Sequence, residues 1–296
     1  MITRRSLVVG AGAGLLGGPL GRIASPSAAE DWADGLGRSF RDIEAGLKGR
    51  LGVAVLDTET GRSAGHRGGE RFPMCSTFKL LAAAAVLARV DAGREDLDRR
   101  VRFGADEIMA HSPVTKERVG DGMTLAELCE ATITLSDNAA GNLLLKALGG
   151  PAGLTAALRA FGDPVTRLDR WEPGLNEARP GDPRDTTSPD AMAAHLQRLV
   201  LGDALSPASR DRLAAWLLGN KTGDARLRAG VPQAWRVGDK TGTGHNGTAN
   251  DVGVIWPPRR KPLVVSVYIT QTKAPLAERN TAIAEVARVV TRSLAA

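Results

Sequence analysis

Apolar residues recur along the chain with two periods. From Trp32 to Leu47 they form one helical stripe. From Ala277 to Leu294 the residues Ile283, Val286, Val289, Val290 and Leu294 do the same. Leu51 to Thr60 is a β-rich run closed by Gly61, which predicts a strand. Asp251–Trp256 and Pro262–Thr270 predict two more, joined by Pro257-Pro258-Arg259-Arg260-Lys261. The middle, roughly 75 to 217, reads as helical, with segments at Ser76–Val90, Thr124–Leu135, Ala139–Leu148, Ser188–Leu201 and Ser206–Leu218. An isolated two-stranded ribbon is marginal in water, so the strands near the two ends should share one sheet. The expectation is an α/β (α+β) fold of two lobes. Segments 30–68 and 219–296 supply an antiparallel sheet flanked by terminal helices, and 69–218 is an inserted all-helical lobe. A ligand site is expected in the cleft between them.

Composition narrows the function. With 43% hydrophobic and 24% charged residues the chain is that of an ordinary globular protein. The formal charge of +6 invites a nucleic-acid reading, but Arg4, Arg5 and Arg22 precede the first acid, Glu30. Met1-Ile2-Thr3-Arg4-Arg5-Ser6-Leu7, a short apolar run and Ser27-Ala28-Ala29 read as a leader cut after Ala29. The Arg-Arg pair resembles a twin-arginine export signal; a Sec-type leader carrying two arginines is the alternative. Without the three leader arginines the charge falls to +3, too weak for a phosphate-binding surface, and 4% aromatic content offers few base-stacking platforms. An exported monomer with no stable membrane association and no nucleic-acid partner is expected. Cys75 and Cys129 are expected to be free thiols.

Three short motifs are decoys. Gly12-Ala13-Gly14-Leu15-Leu16-Gly17 fits a dinucleotide fingerprint but sits in the leader. Gly61-Arg62-Ser63-Ala64-Gly65 fits a nucleophile elbow, yet His66 to Pro73 cannot start the helix that an elbow needs, so a hairpin turn is expected. Gly238-Asp239-Lys240-Thr241 lacks the Gly-Lys pair of a P-loop. The four histidines form no i,i+4 pair, so no metal site and no cofactor are expected.

The chemistry lies elsewhere. Ser76-Thr77-Phe78-Lys79 opens a helix, and i,i+3 spacing puts serine and lysine on one face. A serine hydroxyl needs a base, and a buried lysine with a depressed pKa can be one. The plainer reading is a helix N-cap with an exposed lysine. Ser136-Asp137-Asn138 lies between two helices and can aim two polar side chains one way or merely cap the helix at Ala139. Lys240-Thr241-Gly242 precedes the last strands and reads otherwise as a basic turn. Arg167 to Asp185 is a long loop with three prolines and two glycines, which Arg170 and Asp185 could pin closed. Within it Glu172 and Asn176 could hold and activate a water.

Together, Ser76-Thr77-Phe78-Lys79, Ser136-Asp137-Asn138, Arg170-Trp171-Glu172-Pro173-x-Leu175-Asn176 and Lys240-Thr241-Gly242 resemble the class A β-lactamases over essentially the whole mature chain. The resemblance implies β-lactam hydrolysis through a Ser76 acyl-enzyme. It implies an oxyanion hole from the N–H groups of Ser76 and Thr243, proton delivery to the leaving nitrogen by Ser136, and carboxylate binding by Lys240, Thr241 and Ser136. Asn138 would bind the side-chain amide, and Glu172 with Asn176 the deacylating water. Lys79 and Glu172 both remain as acylation base. A cis Glu172–Pro173 bond is implied. His111 stands where an aromatic residue is common, and Arg226 resembles a substitute for an absent carboxylate-binding arginine; a solvated loop arginine is its plainer reading. A cysteine bridging Cys75 is replaced by Gly244, and one bridging Cys129 by Ala83. The rivals are a penicillin-binding D,D-peptidase and a β-lactam sensor domain.

Overall fold

A computed structural model of the protein describes residues 26–294. The leader reading, with Arg4–Arg5 and Gly12–Gly17, falls almost entirely outside the described residues. Helix α1 (Pro26–Leu47) begins earlier than the apolar stripe at Trp32 suggested. It leads into β1 (Arg50–Asp57) and the short β2 (Ser63–His66), which pair as an antiparallel hairpin around Gly61, in place of an elbow.

The chain crosses β3 (Phe72–Pro73) and a one-turn 3₁₀ helix at Cys75–Thr77, then enters α2 (Phe78–Asp91). Strands β4 (Arg100–Val101) and β5 (Met123–Thr124) pair with each other. Helices α3 (Leu125–Thr134), α4 (Asn138–Leu148) and α5 (Gly150–Ala160) follow. Then come β6 (Thr186–Thr187), paired with β3, and α6 (Pro189–Leu196), which runs into a π-helical turn at Gln197–Leu201. Helix α7 (Pro207–Leu218) precedes β7 (Arg236–Gly244), β8 (Thr248–Trp256), β9 (Leu263–Thr270) and α8 (Leu276–Arg292).

One five-stranded antiparallel sheet, ordered β2-β1-β9-β8-β7, joins strands from both ends of the chain. Two-residue alternation divides its apolar side chains between two cores. Leu51, Val53, Val55, Ile255, Leu263, Val265, Val267 and Ile269 pack with Phe40 of α1 and Ile283, Val286 and Val290 of α8. Their even-numbered neighbours Ala54, Val252, Val254, Val264 and Tyr268 pack against the helical part. Within that part α2 is buried continuously from Phe78 to Leu87, so it is apolar all round rather than amphipathic. Lys79 is the one charged residue in that stretch.

The segment 69–218 is not all helical, since it carries the short strand pairs β3–β6 and β4–β5, and two further elements differ from expectation. Helix α5 lies outside the helical segments expected from the sequence; Pro151 sits in its first turn, where a missing N–H costs nothing. Lys240-Thr241-Gly242 is not a turn before a strand but the centre of β7. No helix among the described residues is long and apolar enough to cross a membrane. Cys75 and Cys129 are free and buried, and burial pushes both thiols up.

Candidate active site

Ser76 sits in the 3₁₀ turn ahead of α2, and the turn is fixed from several directions. Cys75 adopts a left-handed φ of 46°, an uncommon conformation for a residue with a side chain. The Met74 N–H donates to the Asp185 carbonyl at 2.9 Å. Thr77 Oγ1 donates to the Met74 carbonyl at 2.9 Å and lies 3.2 Å from the Tyr268 hydroxyl. From β8, Asn250 Nδ2 donates to the Pro73 and Met74 carbonyls at 2.9 and 3.0 Å. Strand β7 lies against the same turn because Gly242 and Gly244 lack side chains. A Cβ at Gly242 would stand 2.7 Å from the Met74 carbonyl, and one at Gly244 2.6 Å from Cys75 Sγ.

Lys79, one turn after Ser76 at the start of α2, is fully buried, which overturns the reading of an exposed lysine. Its Nζ donates to Ser76 Oγ at 3.1 Å, the Ser136 carbonyl at 2.7 Å and Asn138 Oδ1 at 2.6 Å, and lies 3.2 Å from Glu172 Oε1. Burial lowers its pKa and outweighs the opposing pull of Glu172. Ser76 Oγ in turn donates to Glu172 Oε1 at 3.4 Å.

Ser136 has φ of 57°, and this left-handed corner turns its side chain toward both lysines. Its Oγ is 3.4 Å from Lys79 Nζ and accepts from Lys240 Nζ at 3.1 Å. Asp137, buried between Ser136 and Asn138, is the anchor. It caps α4 through the Ala140 N–H at 2.9 Å and accepts the N–H groups of Val114 and Thr115 at 2.9 and 3.0 Å. The capping reading is therefore right for Asp137, and the aiming of Ser136 and Asn138 follows from it. Asn138 Nδ2 donates to the Ala110 carbonyl at 2.9 Å.

The loop from 167 to 185 places Glu172 beneath this group. Arg170 Nε donates to Asp185 Oδ2 at 2.5 Å and Arg170 Nη1 to Glu177 Oε2 at 2.6 Å, and Asp185 Oδ1 accepts the N–H groups of Asp169 and Arg170. The ends of the loop are thus closed by the pair read from sequence. The Glu172–Pro173 peptide is cis. Asn142 of α4, which sequence reasoning missed, clamps the Glu172 backbone from both sides. Its Oδ1 accepts the Glu172 N–H at 3.0 Å and its Nδ2 donates to the Glu172 carbonyl at 3.1 Å. Asn176 Nδ2 donates to Glu172 Oε2 at 2.5 Å, while the buried Asn176 Oδ1 has no hydrogen-bond partner among the described residues.

On the opposite wall Lys240 is fully buried, and burial together with the Lys79 charge brings its pKa down to about 7. Its Nζ also donates to the Thr241 carbonyl at 3.0 Å. Thr241 Oγ1 lies 2.5 Å from Thr222 Oγ1. Arg226 is not a solvated loop arginine: it is 5% exposed, and its Nη2 donates to Thr243 Oγ1 at 2.7 Å. Its Nη1 donates to the carbonyls of Gly242 and Asn250 at 2.9 and 2.6 Å. Further back Asp239 and Asp251 are both buried, and burial raises the pKa of each.

Ser76, His111, Ser136, Asn138, Asn176, Arg226, Thr241 and Thr243 all line one cleft of about 320 Å³, with Thr222 and Gly242. Lys79, Glu172 and Lys240 are buried beside it. His111 stands at φ of 59°, with Nε2 3.1 Å from the Leu135 carbonyl. A cavity of about 380 Å³ beside Phe161 and His195 has no serine–lysine pair. Asn142, Asn250, Asp137 and Thr222 carry no motif of their own, and only the S-D-N context of Asp137 offered a signal.

A serine whose hydroxyl touches both a buried lysine and a buried carboxylate, at a mouth lined by hydroxyl and amide groups, has the parts of an acyl-transfer enzyme. Known proteins agree. The model of the β-lactamase enzyme family matches residues 35–294. Beta-lactamase AST-1 of Nocardia asteroides is 51% identical over 255 residues, which cover 86% of this chain and 82% of the relative. The carbapenem-hydrolysing β-lactamase KPC of Klebsiella oxytoca is 51% identical over 237 residues, 80% of each chain. The solved structure of an ancestral (GNCA) class A β-lactamase is 66% identical, covers 87% of this chain and 99% of its own, and has a TM-score of 0.86. The chain belongs to the β-lactamase enzyme family, in class A, and is an enzyme that hydrolyses β-lactams.

Proposed function

We propose that hydrolysis runs through an acyl-enzyme on Ser76, deacylated by a water that Glu172 activates. The observation that carries this reading is the shared contact of Ser76 Oγ with Lys79 Nζ at 3.1 Å and Glu172 Oε1 at 3.4 Å. Both groups are in reach of the hydroxyl proton. As the proton leaves, Ser76 Oγ bonds to the lactam carbonyl carbon and the carbonyl oxygen becomes an oxyanion. The backbone N–H groups of Ser76 and Thr243 stabilise it. The C–N bond then breaks and the nitrogen takes a proton from Ser136, whose hydroxyl Lys79 and Lys240 connect to a proton source. Lys240, Thr241 and Ser136 hold the substrate carboxylate, with Arg226 bracing Thr243. Asn138 holds the side-chain amide, and His111 borders it at the mouth.

Deacylation uses the other carboxylate oxygen and the unpartnered Asn176 Oδ1, which together suit a bridging water. Glu172 takes a proton from that water, its oxygen attacks the ester carbon, and the bond to Ser76 Oγ breaks as the serine is reprotonated. The cleft between the segments 30–68 with 219–296 and the segment 69–218 is the working site. The first 29 residues act as an export leader, and the mature enzyme works as a metal-free monomer outside the cytoplasm. A D,D-peptidase or a sensor domain would lack the Glu172–Asn176 pair or leave it idle.

The test is Glu172→Ala with a penicillin, followed by intact-mass measurement. Turnover should fall by about 10²–10⁴ while an adduct accumulates on Ser76. An unchanged hydrolysis rate would remove Glu172 from the mechanism. A stable adduct on the wild-type enzyme would favour a sensor or peptidase instead.

A further inference from the structure

We infer that Asn246 is a positioning residue that latches the β7–β8 hairpin onto the 167–185 loop and so keeps Glu172 and Asn176 in register with the strand that carries Thr243. The inference rests on the reading of Glu172 as the group that activates the deacylating water.

The hairpin tip and the loop meet through three hydrogen bonds. Asn246 Nδ2 donates to the Glu177 carbonyl at 3.1 Å and the Ala178 carbonyl at 3.2 Å. The His245 N–H donates to the Asn176 carbonyl at 2.9 Å. Asn176 is the residue whose Nδ2 holds Glu172 Oε2, so the connection from hairpin to carboxylate passes through a single residue. The tip itself is braced. The Gln271 N–H donates to the Asn246 carbonyl at 2.7 Å, and a Cβ at Gly247 would stand 2.1 Å from the Thr272 carbonyl, so the hairpin cannot settle closer.

This contact is distinct from the Arg170–Asp185 pin, which closes the loop at its base. The latch holds the far side, where the loop faces β7. Asn246 has φ of 53°, which asparagine tolerates better than most residues. A turn alone would ask for nothing more, and glycine would serve it equally well. What glycine does not supply is an amide with two hydrogens facing two carbonyls of another segment. The chemistry of residue 246 therefore exceeds what its turn requires.

The effect should fall on one step. Acylation draws on Ser76 and Ser136, in the turns that lead into α2 and α4, and on Lys79 in α2, none of which the hairpin tip touches. Deacylation needs the loop carboxylate within reach of the ester. With Lys79 as the base that takes the Ser76 proton, loosening the latch slows deacylation alone, so kcat and KM fall together while kcat/KM, which reports acylation, holds. A general loss of structure would instead lower kcat/KM.

The experiment compares wild type, Asn246→Gly and Glu172→Ala on one penicillin, with steady-state kinetics, quenched-flow mass measurement and thermal midpoint. Asn246→Gly keeps the turn and loses the donors. It should lower kcat and KM together by about tenfold, hold kcat/KM within about twofold, and show an acyl-enzyme adduct during turnover. Asn246→Asp gives the same test if the glycine variant does not fold. Its carboxylate repels the two carbonyls at pH 8, and its protonated form donates again at low pH, so its kcat relative to wild type should recover toward pH 4. An adduct in Glu172→Ala but none in Asn246→Gly, or a fall in kcat/KM with KM unchanged, overturns the latch alone. No adduct in Glu172→Ala overturns the underlying reading and the latch with it.

Discussion

The two sides of the cleft are built differently. On one side Lys79 and Asn138 belong to the starts of α2 and α4, and Ser76 and Ser136 to the short turns that lead into those helices, the second of them fixed by the Asp137 anchor. On the other, Glu172 and Asn176 hang on a loop whose only regular piece is the 3₁₀ turn at Gly174–Asn176. That loop is held by ion pairs, by Asn142 and by the hairpin tip. Groups proposed for bond making with the substrate sit on rigid elements, and the group proposed for clearing the intermediate sits on a tethered one. Loops open more readily than packed helices, so the two chemical steps should respond differently to damage.

The largest effect should come from the rigid side. Ser76→Ala should abolish hydrolysis by a factor of about 10⁶ and leave no mass adduct with any β-lactam, since no other group can take its place. Turnover within tenfold of wild type would mean that the nucleophile lies elsewhere.

Next in size is the base of the loop. Arg170→Ala strips Asp185 and Glu177 of their shared cation and should cost about 1–3 kcal/mol of stability. Activity should fall by about 10–100-fold through deacylation, with kcat and KM reduced together and a detectable acyl-enzyme. If kcat/KM fell as steeply as kcat, the two sides would not be separable in the way described. Arg170 was legible because a charged residue at each end of a long Pro/Gly-rich loop suggests closure, and the Glu172–Asn176 pair was legible because an unstructured carboxylate–amide pair suggests a water site. Asn142 was not legible. It is an ordinary polar residue inside an amphipathic helix, and only the fold reveals that both its amide atoms meet the backbone of Glu172.

The smallest effect is a pH shift on the β7 wall. Lys240 has a pKa near 7 in the folded enzyme, below the ordinary lysine value, so its charge is lost as pH rises through about 7. If it holds the substrate carboxylate, kcat/KM for a penicillin should decline above pH 7. Lys240→Arg, which does not titrate there, should flatten that limb. The stability sign is opposite. The unfolded chain keeps the Lys240 proton up to its ordinary pKa, so folding becomes more favourable from pH 7 upward, and the arginine variant should lose that gain. Superimposable pH profiles for the two proteins would discard the proposed role of Lys240.

Strand β7 shows most directly where reading residues stops. Gly238, Asp239, Gly242 and Gly244 give it little intrinsic β-preference, and it is a strand because β8 pairs with all of it. Arg226 makes the same point. As a sequence position it was an arginine in a loop, and as a buried group it reaches Thr243 through a 2.7 Å hydrogen bond.

From sequence alone came the functional groups and their order, the helix and strand periods, the loop that closes on itself and the family resemblance. These depend on residue identity and short-range spacing, which the polymer carries whether folded or not. Tertiary structure alone decided which groups lost their water, which lysine faces which hydroxyl, and how a hairpin tip meets a loop some seventy residues away in the chain. Desolvation and distances between remote segments depend on what packs around each atom, and that exists only once the chain has closed on itself.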